Sequence, residues 1–204
     1  MERVSSLRQP DFSILLENIH DTHNIGAVLR SADSVGIREA YVLHSDPERV
    51  RTKIKIGKRT SSGSRKWLDV HFFNDREKCM KSIQARYEKI LGASVNKPGK
   101  SLYENDLSGS VILVFGNEHE GITDETLAYC TGTFFIPQMG MTESLNVSVA
   151  CAISLYEGLR QREIKGFYGN HPRWTQAEKT NLMEEFVRRH EDGFRGENIF
   201  AEDE

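Results

Sequence analysis

Apolar residues along this chain fall into short, dense blocks. Phe12–Glu17 (FSILLE), Ala40–Leu43, Lys89–Val95 and Val111–Phe115 (VILVF) carry few polar interruptions, which is how strands buried on both faces read. Between them the apolar positions return at the helical period. The spacing predicts helices over Asn24–Val35, closed by Gly36, over Asn74–Tyr87, and from a Thr123 cap to Cys130. The longest patterned stretch runs from Phe134 to Gln161. A short apolar strand stops at Pro137, and a loop follows with Met139, Gly140, Met141, Thr142 and Glu143. A long helical pattern then starts at Ser144-Leu145-Asn146 and sets Leu145, Val149, Ala152, Ile153 and Tyr156 on one face. Residues 45–66 and 96–107 read as loops. Strands alternating with helices imply an α/β fold, a mostly parallel sheet flanked by helices. After Lys165 the pattern breaks at Gly166, Gly169 and Pro172, then resumes as a helix over Thr175–Arg189 before an acidic end. The chain therefore divides into an α/β domain over residues 1–165 and a C-terminal helical extension with an acidic tail over residues 166–204.

A length of 204 residues suits one well-buried domain plus an appendage. No apolar run approaches the ~20 residues that cross a bilayer. The opening MERVSSLRQPDF has no apolar core of a secretory signal. Cys79, Cys130 and Cys151 are odd in number and far apart, as expected for free thiols in a reducing cytoplasm. Net charge is −3, but residues 191–204 hold six acids and one base, so the tail contributes −5 and residues 1–190 carry +2. Arg51–Lys66 holds seven bases and no acid, either a solvated loop or a phosphate-binding patch.

Three constellations carry candidate chemistry. The first is Asn18-Ile-His20-Asp-Thr-His23-Asn24-Ile-Gly26-Ala-Val-Leu-Arg30. Gly26 in a first helical turn costs roughly 1 kcal/mol against Ala, so close backbone approach is its use. Arg30 reads as a surface arginine, except that its sequence neighbours are small or apolar. His20 and His23 lack a third ligand at sensible spacing, and no metal site is expected. The second is Phe115-Gly116-Asn117-Glu118-His119-Glu120-Gly121, directly after the clearest strand. It fits neither GxxxxGK[ST] nor GxGxxG. It reads either as a tight polar turn or as backbone and carboxylate facing a ligand. The third is the Ser144–Asn146 loop, which reads as a plain helix cap or as part of a site. No GxSxG surrounds Ser144, so serine hydrolysis is not indicated. Loops leaving the carboxyl ends of strands are where open α/β sheets bind ligands.

Together these stretches resemble the SPOUT class of methyltransferases, specifically the TrmH-like RNA 2′-O-ribose methyltransferases. NIGAVLRSAD is similar to that family's first motif, FGNEHEGI to its second and IPQMGMTESLNVSVA to its third. LRQPDFSILLENIHDTHN and SSGSRKW look most like the tRNA (guanosine-18-2′-O)-methyltransferases. The resemblance implies a deep C-terminal trefoil knot, S-adenosylmethionine as cofactor, a homodimer with its sites at the interface, and a tRNA substrate. By position in the motifs it implies Arg30, Asn24, Glu118, Ser144 and Asn146 as the catalytic set. It implies cofactor contacts at Ala93, Gly116, Ile136 and Leu145, mostly through backbone. RNA contacts are expected from Arg8, Lys58, Arg59, Arg160 and Arg162. A guanidinium is an awkward base, so Arg30 is expected to stabilise a developing alkoxide while a phosphate or Glu118 takes the proton. The alternatives are an rRNA 2′-O-methyltransferase of the same family, an inert knotted RNA-binding protein and a nucleotide-dependent oxidoreductase. The intact motif residues speak against the second and the missing GxGxxG against the third.

Overall fold

The computed structural model describes residues 1–46, 53–55, 63–169, 171–192 and 198–200. Seven strands form one parallel sheet. In chain order they are β1 (Phe12–Glu17), β2 (Glu39–Leu43), β4 (Asp69–Phe73), β5 (Lys89–Ala93), β6 (Lys100–Ser101), β7 (Val111–Phe115) and β8 (Gly132–Phe135). The spatial order is β4-β2-β1-β7-β5-β8-β6. A separate antiparallel pair joins β3 (Lys53–Lys55) to β9 (Asn198–Phe200).

The central strands are buried on both sides, and their residues divide between two cores by alternation. Phe12, Ile14 and Leu16 of β1 and Val111, Leu113 and Phe115 of β7 face one core. Leu15, Ile112 and Val114 face the other. Helix α2 (Thr22–Ser34) and helix α5 (Val147–Ile164) cover the first face through Ile25, Val28, Leu29, Cys151 and Leu155. Helix α3 (Arg76–Gln84) covers the second through Cys79, Met80 and Ile83, next to the short helix α4 (Asp124–Leu127). Helix α1 (Glu2–Ser6) and helix α6 (Gln176–Glu191) pack on each other, with Leu182 and Phe186 of α6 buried.

Strands β1 and β7 have the limits that their apolar runs predict. Helix α2 starts two residues earlier than the expected Asn24, because the Asp21 carboxylate accepts the His23 amide and caps it there. Gly36 closes it at φ 82°, and a Cβ would sit 2.6 Å from the Leu7 carbonyl oxygen. Strand β4 (DVHFF) was not expected. It is an edge strand, half-buried over Asp69–His71, so its sequence lacks a dense apolar run. Strand β6 likewise lies within the expected 96–107 loop.

The apolar stripe expected on the long helix is corrected by the structure. Val147, Cys151, Ser154, Leu155, Glu157, Gly158 and Arg162 are the buried positions of α5. Val149 and Tyr156 are 47% and 52% exposed. Gly158 decides the face, because its missing side chain admits the Phe12 ring; a Cβ there would lie 2.4 Å from Phe12 Cζ. Of the expected stripe, Val149 and Tyr156 are thereby left outward, while Ile153 packs partly buried against the core.

Candidate active site

The carboxyl ends of β5, β7 and β8 open into a cavity of about 1010 Å³. Its walls are Ala93–Lys97 after β5, Gly116–Asp124 after β7, Phe135, Ile136 and Gln138 at the end of β8, and Glu143–Leu145 before α5. Ala93, Gly116, Ile136 and Leu145, the four expected cofactor positions, all lie on this wall, together with Glu118 and Ser144.

The second constellation is a closed turn. The Asn117 side-chain oxygen accepts the His119 amide at 2.9 Å and the Glu120 amide at 2.7 Å, and the Gly121 amide donates to the Asn117 carbonyl at 3.0 Å. Gly116 is required by this closure, since a Cβ would meet the Gly121 backbone at 2.0 Å. The turn presents Glu118 outward. Asn24 Nδ2 donates to Glu118 Oε1 at 2.5 Å, and Asn146 Nδ2 donates to Asn24 Oδ1 at 3.3 Å. Asn146 also caps α5, its Oδ1 accepting the Ser148 amide at 2.8 Å. One residue from each sequence constellation thus joins a single hydrogen-bonded chain at the cavity. These bonds tie the starts of helices α2 and α5 to the loop that follows β7.

Arg30 is not part of that chain. It lies further along α2, exposed, with no hydrogen-bond or ion-pair partner among the described residues and no place in the cavity wall. Wall carboxylates Glu118, Glu120 and Glu143 outnumber the one wall lysine, Lys97, which is paired with Asp124 at 2.8 Å. The cavity therefore favours a ligand carrying positive charge. Nearby Cys130 is no nucleophile, since burial, helped by Glu17, pushes its thiol up to about 12. Among the described residues, no three His, Cys, Asp or Glu side chains are grouped to hold a metal.

The sequence profile of the SpoU rRNA Methylase family matches residues 11–156, most of the chain and all of the site. The chain belongs to the SpoU rRNA methylase family. It is 32% identical, over 93% of its length and 94% of the relative's, to the tRNA (guanosine(18)-2'-O)-methyltransferase of Thermus thermophilus. It is 34% identical, over 73% of its length and 58% of the relative's, to the 23S rRNA (guanosine-2'-O-)-methyltransferase RlmB of Xanthomonas axonopodis pv. citri. Among solved structures, the Aquifex aeolicus TrmH/SpoU tRNA modifying enzyme superposes with a TM-score of 0.82 over 95% of both chains at 29% identity. The SpoU methyltransferase AviRb of Streptomyces viridochromogenes, solved with AdoMet, superposes at 0.67 over 76% of this chain and 62% of its own, at 27% identity.

Two of the RNA contacts expected of this SpoU methylase are corrected. Arg8 and Arg162 are 1% and 0% exposed and cannot reach a phosphate. Arg8 pairs with Asp33, donates to the Ile37 carbonyl and lies 5.4 Å from the Phe186 ring. Arg162 pairs with Asp11 at 2.7 Å, donates to the Leu107 and Gly109 carbonyls and covers the Phe12 ring at 4.7 Å. Burial pulls both guanidinium pKa values below the usual arginine range, and the paired aspartates oppose it. A buried arginine in this arrangement ties loops to the sheet. Arg160 stays exposed beside Glu157. Lys58 and Arg59 lie outside the described residues.

Sequence reading also passed over Glu17, and saw in Thr123 only a helix cap. Glu17 read as the last residue of an apolar strand, although a charged residue closing a fully buried run is itself a signal. Its side chain is 0% exposed and accepts three hydrogen bonds from Thr123 and Thr126 beside the cavity.

Proposed function

We propose that this chain is an S-adenosylmethionine-dependent methyltransferase acting on a ribose 2′-hydroxyl of RNA, and that its substrate is tRNA, at the D-loop guanosine of position 18. The observation that carries this reading is the Asn146–Asn24–Glu118 chain of hydrogen bonds at the cavity. It gathers the family's three motifs beside a cavity of about 1010 Å³, ample for a nucleoside and its substituents. The tRNA substrate is favoured over rRNA by extent. The chain spans 94% of the Thermus thermophilus tRNA enzyme but 58% of the Xanthomonas rRNA enzyme.

The wall fits this cofactor. Backbone at Ala93, Gly116 and Ile136 leaves room for a nucleoside, Leu145 and Ile122 supply apolar surface, and the carboxylates suit a sulfonium cation. When bound, it supplies an electrophilic methyl group. That methyl would pass to the ribose 2′-oxygen, leaving a neutral thioether behind, and the hydroxyl would give up its proton. Glu118, fixed by Asn24, is placed to hold that proton or to orient the ribose. Arg30 stabilises the oxygen as it gains negative charge, because its planar fork stays charged.

Arg30 lies outside the cavity of its own chain, which supports a homodimer in which each site takes Arg30 from the partner subunit. The outward Val149 and Tyr156 of α5 flank such an interface. We read residues 1–165 as the catalytic unit and 166–204 as an extension bracing it. The chain following β8 is taken to be knotted as in the family, and the three free cysteines suit the cytoplasm. Complementation tests the shared site. Arg30→Ala mixed with Asn146→Ala, both inactive alone, regain roughly a quarter of wild-type activity after subunit exchange, because one site of each mixed dimer is intact. No recovery refutes a site built from two chains.

A further inference from the structure

Glu17 is the most buried carboxylate beside the cavity, and nothing in the reaction uses it. It ends β1, an interior strand of the sheet, between β2 and β7. Its oxygens accept the Thr123 amide at 2.9 Å, the Thr123 hydroxyl at 2.7 Å and the Thr126 hydroxyl at 2.5 Å. The guanidinium of Arg76 stands 3.8 Å away. Arg76 also donates to Thr126 Oγ1 at 3.0 Å and to Ser45 Oγ at 3.0 Å, while the Ser45 amide donates to Asn18 Oδ1 at 2.9 Å. Every strong bond of Glu17 goes to one place, the exit of the Gly116–Thr123 loop and the helix that Thr123 caps.

A buried carboxylate is costly unless each oxygen is satisfied. An apolar residue would close the strand more cheaply. The geometry points to Glu17 as a positioning residue that fixes the cofactor-cavity loop at its exit, while Asn24 fixes it at its tip through Glu118. Both belong to one segment, so β1 and the start of α2 hold the loop at two points and set the width of the cavity between them. Glu17 itself touches neither the cavity nor a reacting atom. This inference rests on the cavity being the S-adenosylmethionine site.

The test uses Glu17→Gln in the full-length protein, with Glu39→Gln as control. Glu39 is also a buried carboxylate, but it stands at the opposite, amino end of its strand, away from the cavity. Two quantities are read in each: affinity for S-adenosylhomocysteine by calorimetry, and amide hydrogen exchange at Gly121 and Thr123. Glu17→Gln is expected to weaken binding tenfold or more and to speed exchange at both amides at least tenfold, with Leu15 and Leu113 much less affected. Glu39→Gln is expected to leave affinity within twofold. If Glu17→Gln does not fold, Thr126→Val removes one of the three donors without touching the carboxylate, and the same two changes are expected at smaller size. Unchanged binding and exchange, or equal loss of affinity in both glutamine variants, overturns the positioning role. If the wild type binds no cofactor product, the reading of the cavity fails, and the exchange result alone decides the role of Glu17.

Discussion

Replacing Arg162 by alanine separates a structural arginine from an RNA-binding one. The side chain is fully buried and its guanidinium donates to Asp11 Oδ1 at 2.7 Å, Gln9 Oε1 at 3.1 Å, Leu107 O at 3.0 Å and Asp11 O at 3.2 Å, with a further bond to Gly109 O. Alanine leaves these acceptors without their donor and opens a void against the Phe12 ring. Breaking one partner of a buried pair costs about 3–5 kcal/mol. Arg173 also pairs with Asp11 and keeps that carboxylate partly neutralised, which places the cost near the lower end. For a chain of this size, roughly 2–4 °C of melting temperature follows each kcal/mol, so a fall of roughly 6–12 °C is expected. The assay is thermal and urea unfolding together with RNA binding measured well below either midpoint at several salt concentrations. A lost phosphate contact would reduce the slope of log affinity against log salt by about one. The expected result is a large loss of stability with an unchanged slope, whereas Arg160→Ala, at the surface, leaves the midpoint nearly in place. Wild-type stability with a reduced slope in Arg162→Ala would refute the assignment.

Gly158→Ala drives a Cβ into the Phe12 ring and is expected to cost about 1–3 kcal/mol by overpacking; Phe12→Leu in the same chain recovers part of it in urea titrations, and no recovery would place the strain elsewhere. Acid sensitivity follows from Glu39. Burial raises its pKa, but bonds from His71 and Tyr87 and the charge of Arg86 outweigh that and hold it below the usual carboxylate range. A lowered folded pKa contributes stability above the unfolded value of about 4.3 and loses it as pH falls through the folded one. Glu39→Gln should therefore flatten the fall in stability below about pH 4; an unchanged acid limb would contradict this. Gly116→Ala forces the Asn117–Gly121 closure open and should abolish S-adenosylhomocysteine binding in calorimetry while far-UV circular dichroism stays unchanged.

Strands buried on both faces were legible because most of their positions are apolar, as in FSILLE and VILVF. DVHFF was not, because an edge strand half-buried over Asp69–His71 needs no such run. Two exposed positions of α5, Val149 and Tyr156, were mistaken for core positions. That helix is apolar over most of its circumference, and the choice of face lies in Gly158 meeting Phe12, a contact between residues far apart in the chain. The site positions were legible from motif order, yet no single segment contains the Asn24–Glu118–Asn146 chain. Arg8 and Arg162 misled because a positive charge in sequence does not say whether an aspartate waits inside. Glu17 escaped because its partners, Thr123 and Thr126, lie more than a hundred residues away.

Methyl transfer onto a defined ribose tests the central claim most directly. The protein is incubated with methyl-labelled S-adenosylmethionine and a tRNA transcript, beside the same tRNA carrying a 2′-deoxy nucleotide at guanosine 18, and the products are digested to nucleosides. The account predicts label in 2′-O-methylguanosine from the first RNA and none from the second, with Arg30→Ala inactive on both. Label on a base, label in the deoxy substrate, or no transfer to any RNA would contradict it.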